Sequence, residues 1–126
     1  MPPTPQPPTA LSPLGLHVAL DAATVDCHGG VTVDLHVAVD GGMADNIRPA
    51  LYQAEYTAVL ANRSDEGPTL PVTIAGRYCE TGDLLIKDVQ LPELRRGDLL
   101  AMPTAGAYNL SMSSNYNLAL RPAAVV

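Results

Sequence analysis

The clearest order in this chain is an alternation. In residues 31–39, VTVDLHVAV, the odd positions Val31, Val33, Leu35, Val37 and Val39 are apolar, while Thr32, Asp34 and His36 are polar. A period of two predicts a strand with one face buried and one face wet. Asp40-Gly41-Gly42 ends it, because paired glycines give the backbone the freedom of a tight turn. Asp45 or Asn46 then offers a cap for a short helix from Arg48 to Tyr52, and Pro49 suits its first turn. Residues 56–61 and 70–75 read as strands around a polar loop at 62–68. Two similar units follow, Gly82-Asp83-Leu84-Leu85 and Gly97-Asp98-Leu99-Leu100. Each reads as a turn feeding a strand, and their likeness suggests strands of one meander, not a repeat array. Residues 105–111 predict a second short helix, and residues 117–126 a last strand, interrupted by Pro122 and so at a sheet edge. The sum is a mainly β fold with one or two short helices.

The chain divides unevenly. Residues 1–13 hold six prolines and no charge, which predicts a loose, extended, disordered tail outside the fold. Residues 14–38 form a lead-in that ends in the alternating strand, with 14–30 fitting either a strand or a helix, and residues 39–126 form the β domain.

Composition narrows the function classes. The chain has 126 residues, which suits one domain and is too short for a closed eight-stranded α/β barrel. Apolar residues make up 47% with no Phe and no Trp, so the core must be aliphatic, helped by the five tyrosines. Net charge is −6 and the isoelectric point about 4.7. The seven basic residues are scattered, which argues against nucleic acid and against a membrane patch. No apolar run reaches the ~18 residues of a membrane span. The N-terminus lacks the regions of a signal peptide, so a cytoplasmic protein is expected. Cys27 and Cys79, taken with His17, His28 and His36, show neither a disulfide framework nor paired metal-ligand spacing, so no metal is expected.

Four strings carry a resemblance: VDGGMADNIRPALYQAEY at 39–56, GRYCETGDLL at 76–85, LPELRRGDLLAMPTAGAY at 91–108 and SMSSNYN at 111–117. In this order and spacing they resemble the C-terminal β domain of the diaminopimelate decarboxylase family. That family belongs to the pyridoxal-phosphate lyases of fold type III. The resemblance implies a β-sandwich or barrel-like domain that lacks the family's N-terminal α/β barrel. It also implies a head-to-tail homodimer in which the barrel of one subunit meets the β domain of the other to form the active site. The family's reaction, in lysine biosynthesis, converts meso-diaminopimelate to L-lysine and carbon dioxide. Its cofactor is pyridoxal phosphate, which the family holds by a barrel lysine.

The site residues follow from the same resemblance. Cys79 matches the family's proton donor, and a thiol suits the role because its ordinary pKa of about 8.5 keeps it mostly protonated near neutrality. Its bland alternative is a small buried hydrophobe. Glu80 matches the carboxylate that receives the substrate's distal ammonium; otherwise it is a solvated loop charge. Arg48 and Tyr52 match substrate-binding residues, and their spacing of four puts them on one helix face. An arginine fork grips a carboxylate through two parallel hydrogen bonds. Tyr108 matches a tyrosine that touches both substrate and cofactor; otherwise it packs in the core. Ile47 stands where the family often has proline. Asn115, Tyr116 and Asn117 read as structural or interface residues. The lone lysine, Lys87, does not match the Schiff-base lysine and reads as a surface residue.

Two function classes are therefore open. One is a C-terminal portion of a decarboxylase, expected to be inactive alone. The other is a stand-alone β module that binds a separate barrel chain or an amino-acid ligand without catalysis. Without a barrel, the strand at 31–39 is expected to lack a partner and to present an open edge.

Overall fold

The computed structural model describes residues 15–17, 24–26, 34–63 and 67–123. In chain order these form β1 Gly15–His17, β2 Thr24–Asp26, β3 Asp34–Ala38, α1 Arg48–Tyr52, β4 Val59–Leu60, β5 Thr69–Ala75, β6 Leu84–Pro92, β7 Leu99–Ala101 and α2 Gly106–Met112, followed by a 3-10 turn at Tyr116–Leu118. The proline-rich stretch and Cys27 lie outside the described residues.

The alternation at 35–39 is present as predicted. Val37 and Val39 are 1% exposed, and His36, beside Val37, faces solvent. The open-edge expectation is corrected, because β3 has neighbours on both sides. It pairs antiparallel with β2 and parallel with β5, Leu35 facing Val72 and Val37 facing Ile74. Parallel neighbours need a crossover. The crossover runs from the end of β3 to the start of β5 and carries α1 and β4. One face of the alternating strand must be buried, and the partner that buries it comes from within the chain.

The meander expectation is also corrected. Both Gly-Asp-Leu-Leu units begin strands, but in different sheets. β6 is an edge of the four-stranded sheet β2-β3-β5-β6, whereas β7 is the middle strand of the three-stranded sheet β1-β7-β4. The local pattern marks where a strand starts; sequence-distant partners decide which sheet receives it.

Val37, Ile74, Leu85 and Leu91 from the larger sheet share one core with Leu60 and Leu100 from the smaller. The core is aliphatic, as the composition requires, and neither sheet closes into a barrel. In β6 the alternation breaks, with Leu85 and Ile86 both buried. The register accounts for this: Ile74 faces Ile86 but Ala75 faces Leu84, so Leu85 is an extra residue there. A second extra residue falls between Ile86 and Val89, where Asp88 sits in left-handed backbone, φ 54°.

The predicted last strand does not form over residues 117–123. Asn117 and Leu118 turn into left-handed backbone (φ 53° and 61°), and Leu118 and Leu120 are 91% and 85% exposed. Apolar composition alone does not make a strand where no neighbour offers a ladder.

The second Gly-Asp unit anchors an ion pair between remote segments. Arg63 Nε and Nη2 donate to Asp98 Oδ1 and Oδ2 at 2.9 and 2.7 Å, and the Arg95 amide donates to Oδ2 at 2.8 Å. The Arg63 guanidinium holds the Asp98 carboxyl below the usual carboxylate range. A depressed folded pKa gives stability that is present above the unfolded value and lost as pH falls through the folded one. Stability is therefore expected to drop on acidification below about pH 4. Arg63→Ala should flatten that acid limb. Urea midpoints at acidic and neutral pH check this, and an acid limb unchanged in the variant would exclude the pair as its source.

Candidate functional site

Helix α1 is short and starts without a side-chain cap at Ile47, which itself has helical backbone. The expected caps act nearby: Asn46 Oδ1 accepts the Arg48 amide at 3.2 Å, and Asp45 Oδ2 accepts the Gly42 amide at 2.9 Å. Burial raises the Asp45 carboxyl above its ordinary value. Arg48 and Tyr52 rise on one face of α1. The Arg48 Cζ lies 6.0 Å from the Tyr52 ring centroid and 4.7 Å from that of Tyr108, which α2 delivers. The guanidinium is thus flanked by two aromatic rings, each favourable to a cation. Among the described residues it makes no ion pair, and its Nε is buried without a hydrogen-bond partner, as are Asn46 Nδ2 and Asn109 Oδ1. Buried polar atoms normally find partners. The two tyrosine rings stay 61% and 60% exposed, so the stack opens outward.

A second group sits on the loop between β5 and β6. Cys79 and Glu80 are both exposed there, and Cys79 is a free thiol. Asp83, only 2% exposed, gives the loop its shape. Its amide donates to the Glu80 carbonyl at 3.0 Å and closes the turn. Its Oδ2 accepts the Tyr78 amide and its Oδ1 the Met43 amide, each at 2.7 Å. The Arg77 amide also reaches the Gly41 carbonyl at 3.1 Å. The Cys79–Glu80 loop and the turn that launches α1 are therefore tied together through one carboxylate. Two glycines allow it: a Cβ at Gly42 would come 2.7 Å from the Tyr78 ring, and one at Gly76 would collide with the Asp83 carboxylate.

The segment after α2 closes over Glu80. The Tyr116 hydroxyl donates to Glu80 Oε1 at 2.7 Å. The Tyr116 and Tyr78 rings meet edge to face, centroids 5.2 Å apart. The hydrogen bond to Glu80 raises the Tyr116 phenol above its ordinary value.

Of the residues singled out in the sequence, the fold gathers Arg48, Tyr52 and Tyr108 into one stack, and places Cys79 and Glu80 side by side on a loop bonded to the turn before it. Asp83, Tyr78 and Tyr116 were not singled out as site residues. The only signal for Asp83 was its place in a Gly-Asp unit, and the twin unit at Asp98, whose carboxylate takes a guanidinium instead of a second loop's amide, shows that this alone does not reveal the partner. Lys87 is exposed on β6 and lines a different cleft of about 470 Å³, with Pro49, Gln53, Tyr56 and Asp88. Cys79, Glu80 and Tyr108 do not line that cleft.

An arginine held between tyrosines, with a thiol and a carboxylate on the adjoining loop, can grip a small ligand bearing both carboxylate and ammonium groups. The chain belongs to the family described as pyridoxal-dependent decarboxylase, C-terminal sheet domain, whose model matches residues 22–106. Within that family it is similar to diaminopimelate decarboxylases. It is 60% identical to the one from Bacillus subtilis over 90 residues, which cover 71% of this chain and 20% of that relative. It is 53% identical to the one from Synechocystis over 91 residues, 72% of this chain and 19% of that relative. In three dimensions it matches the diaminopimelate decarboxylase of M. jannaschii solved in complex with L-lysine, at TM-score 0.70 and 33% identity, covering 86% of this chain and 23% of that one. The chain thus spans about a fifth of the length of the curated relatives it matches.

Proposed function

We propose that this chain supplies the substrate-gripping part of a diaminopimelate decarboxylase active site, which an α/β barrel completes. The observation that carries the reading is the Arg48 guanidinium, set between Tyr52 and Tyr108 and without an ionic partner among the described residues. A cation ordered by rings, with no carboxylate of its own, is ready for the carboxylate of a ligand. Glu80 receives the distal ammonium of meso-diaminopimelate, and Cys79 holds its thiol proton beside it.

Pyridoxal phosphate, when bound, supplies the electron sink for the carbanion left by carbon dioxide. The residues present do not hold it by themselves. Tyr108 offers an aromatic face, but Lys87 opens on another cleft. The Schiff base and the phosphate site therefore belong to the barrel, and the family's homodimer would bring that barrel from a second subunit. This chain's residues bind the substrate, orient it and present a proton at the Cys79 sulfur. The reading places the protein in the cytoplasm, where lysine is made.

The test joins the 126-residue chain to the N-terminal part of the Bacillus subtilis relative and measures L-lysine and carbon dioxide released from meso-diaminopimelate. The fusion is expected to decarboxylate, and the chain alone to show neither activity nor Schiff-base absorbance. A fusion that binds pyridoxal phosphate through its barrel lysine yet releases no carbon dioxide would overturn the reading.

A further inference from the structure

Glu80 projects from an exposed loop, where a carboxylate is free to sample several rotamers. A carboxylate that must meet a ligand ammonium at one place is better held still. Around Glu80 the structure has a device that does this. The Tyr116 hydroxyl donates to Glu80 Oε1 at 2.7 Å, and no second hydrogen bond to that carboxylate is found among the described residues. One oxygen is thus held while the other stays available to a ligand.

Tyr116 is itself fixed from three directions. Its ring meets the Tyr78 ring edge to face at 5.2 Å and 88°, and Tyr78 is held by its amide's bond to the buried Asp83 carboxylate. The segment leading to it is pinned where the Ser114 amide donates to the Ala44 carbonyl at 2.9 Å. The turn after it is closed by the Asn115 Nδ2 bond to the Ala119 carbonyl at 2.9 Å and by the Ala119 amide's bond to the Tyr116 carbonyl at 3.1 Å. That turn also holds Asn117 and Leu118 in left-handed backbone, a sparsely populated region for leucine that persists only where surrounding structure enforces it.

We propose that Tyr116 is a positioning residue that orients Glu80 and thereby sets the preference for a substrate carrying a distal ammonium. This rests on the role proposed above for Glu80. Tyr116 acts through Glu80, so its effect should vanish when Glu80 cannot act. It should also vanish for a substrate that has nothing for Glu80 to grip.

The experiment uses the active fusion with meso-diaminopimelate and with 2-aminopimelate, which has the same chain length but lacks the distal amino group. Tyr116→Phe should lower kcat/KM for diaminopimelate about tenfold, mostly through KM, the size expected for one hydrogen bond to a charged group. It should leave the slow turnover of 2-aminopimelate within about twofold, since hydrogen-bond loss affects only the end it serves. Glu80→Gln should cost more than Tyr116→Phe, and the double variant should match Glu80→Gln alone. Equal losses on both substrates, or an additive double variant, would show a merely structural tyrosine and overturn the proposal. A Tyr116→Phe variant as active as the parent on both substrates would also overturn it. Failure of the Glu80 role reads differently: Glu80→Gln itself would then leave diaminopimelate turnover intact, and the proposal would fall with the reading it rests on.

Discussion

Asp83→Ala is expected to lower the unfolding free energy by about 3–6 kcal/mol, from two lost hydrogen bonds to a charged group at about 1.5–3 kcal/mol each. That is a large share of the ~5–15 kcal/mol that holds a typical domain together. The Asp83 carboxylate is 2% exposed and accepts the Met43 and Tyr78 amides at 2.7 Å each. Alanine would leave both donors without a partner and an empty space between the two loops. Asp83→Asn should do little better. An amide has one acceptor oxygen and turns its NH2 toward a backbone donor, where the carboxylate turns a second acceptor. Urea denaturation of the parent and both variants decides the matter. A loss below about 1 kcal/mol for Asp83→Ala, no more than one ordinary neutral hydrogen bond, would mean that the two loops hold their places without it.

The largest effect on activity is expected at Cys79. In the fusion, Cys79→Ala should reduce turnover of meso-diaminopimelate by roughly 10²–10⁴-fold, the usual contribution of a positioned proton donor, with little change in KM. The loop geometry supports a chemical role over a packing one. Cys79 is exposed on a loop whose shape is set by Asp83, so removing its sulfur empties no core cavity. Stability should accordingly stay within about 0.5 kcal/mol of the parent, as for surface substitutions. A variant that kept turnover within tenfold would exclude Cys79 as the proton donor. Arg48 offers an instructive contrast, since its loss should appear in KM as well as in turnover.

These two residues show unequal legibility. Cys79 was found in the sequence because it stands in a string, GRYCETGDLL, that carries its own context. Asp83 lies four positions further along the same string, yet its role was not legible. Nothing local separates it from Asp98, its twin in the second Gly-Asp unit. Both are buried and both close a turn with the same backbone hydrogen bond, their amides donating to the Glu80 and Arg95 carbonyls. Asp98 gives its carboxylate to its own turn and to the Arg63 side chain thirty-five positions away, whereas Asp83 gives its carboxylate to its own loop and to the Met43 amide forty positions away. Tyr116 was likewise seen only as part of a string, because its partner Glu80 is thirty-six positions distant.

The sequence by itself determined the elements whose signal is local. These are the alternating strand around Val37, the short helix Arg48–Tyr52, the strand starts at the Gly-Asp units, the second helix, the aliphatic character of the core and the family strings that single out Cys79, Glu80, Arg48, Tyr52 and Tyr108. The tertiary structure alone decided that β3 lies between two partners, that β6 and β7 belong to different sheets, that the last segment turns instead of forming a strand, and that one buried carboxylate ties the arginine helix to the thiol loop. The division has a physical reason. Periodicity and turn residues act within a few positions of the chain. Strand pairing, by contrast, and the sharing of one buried acceptor between remote amides depend on which segments meet in space.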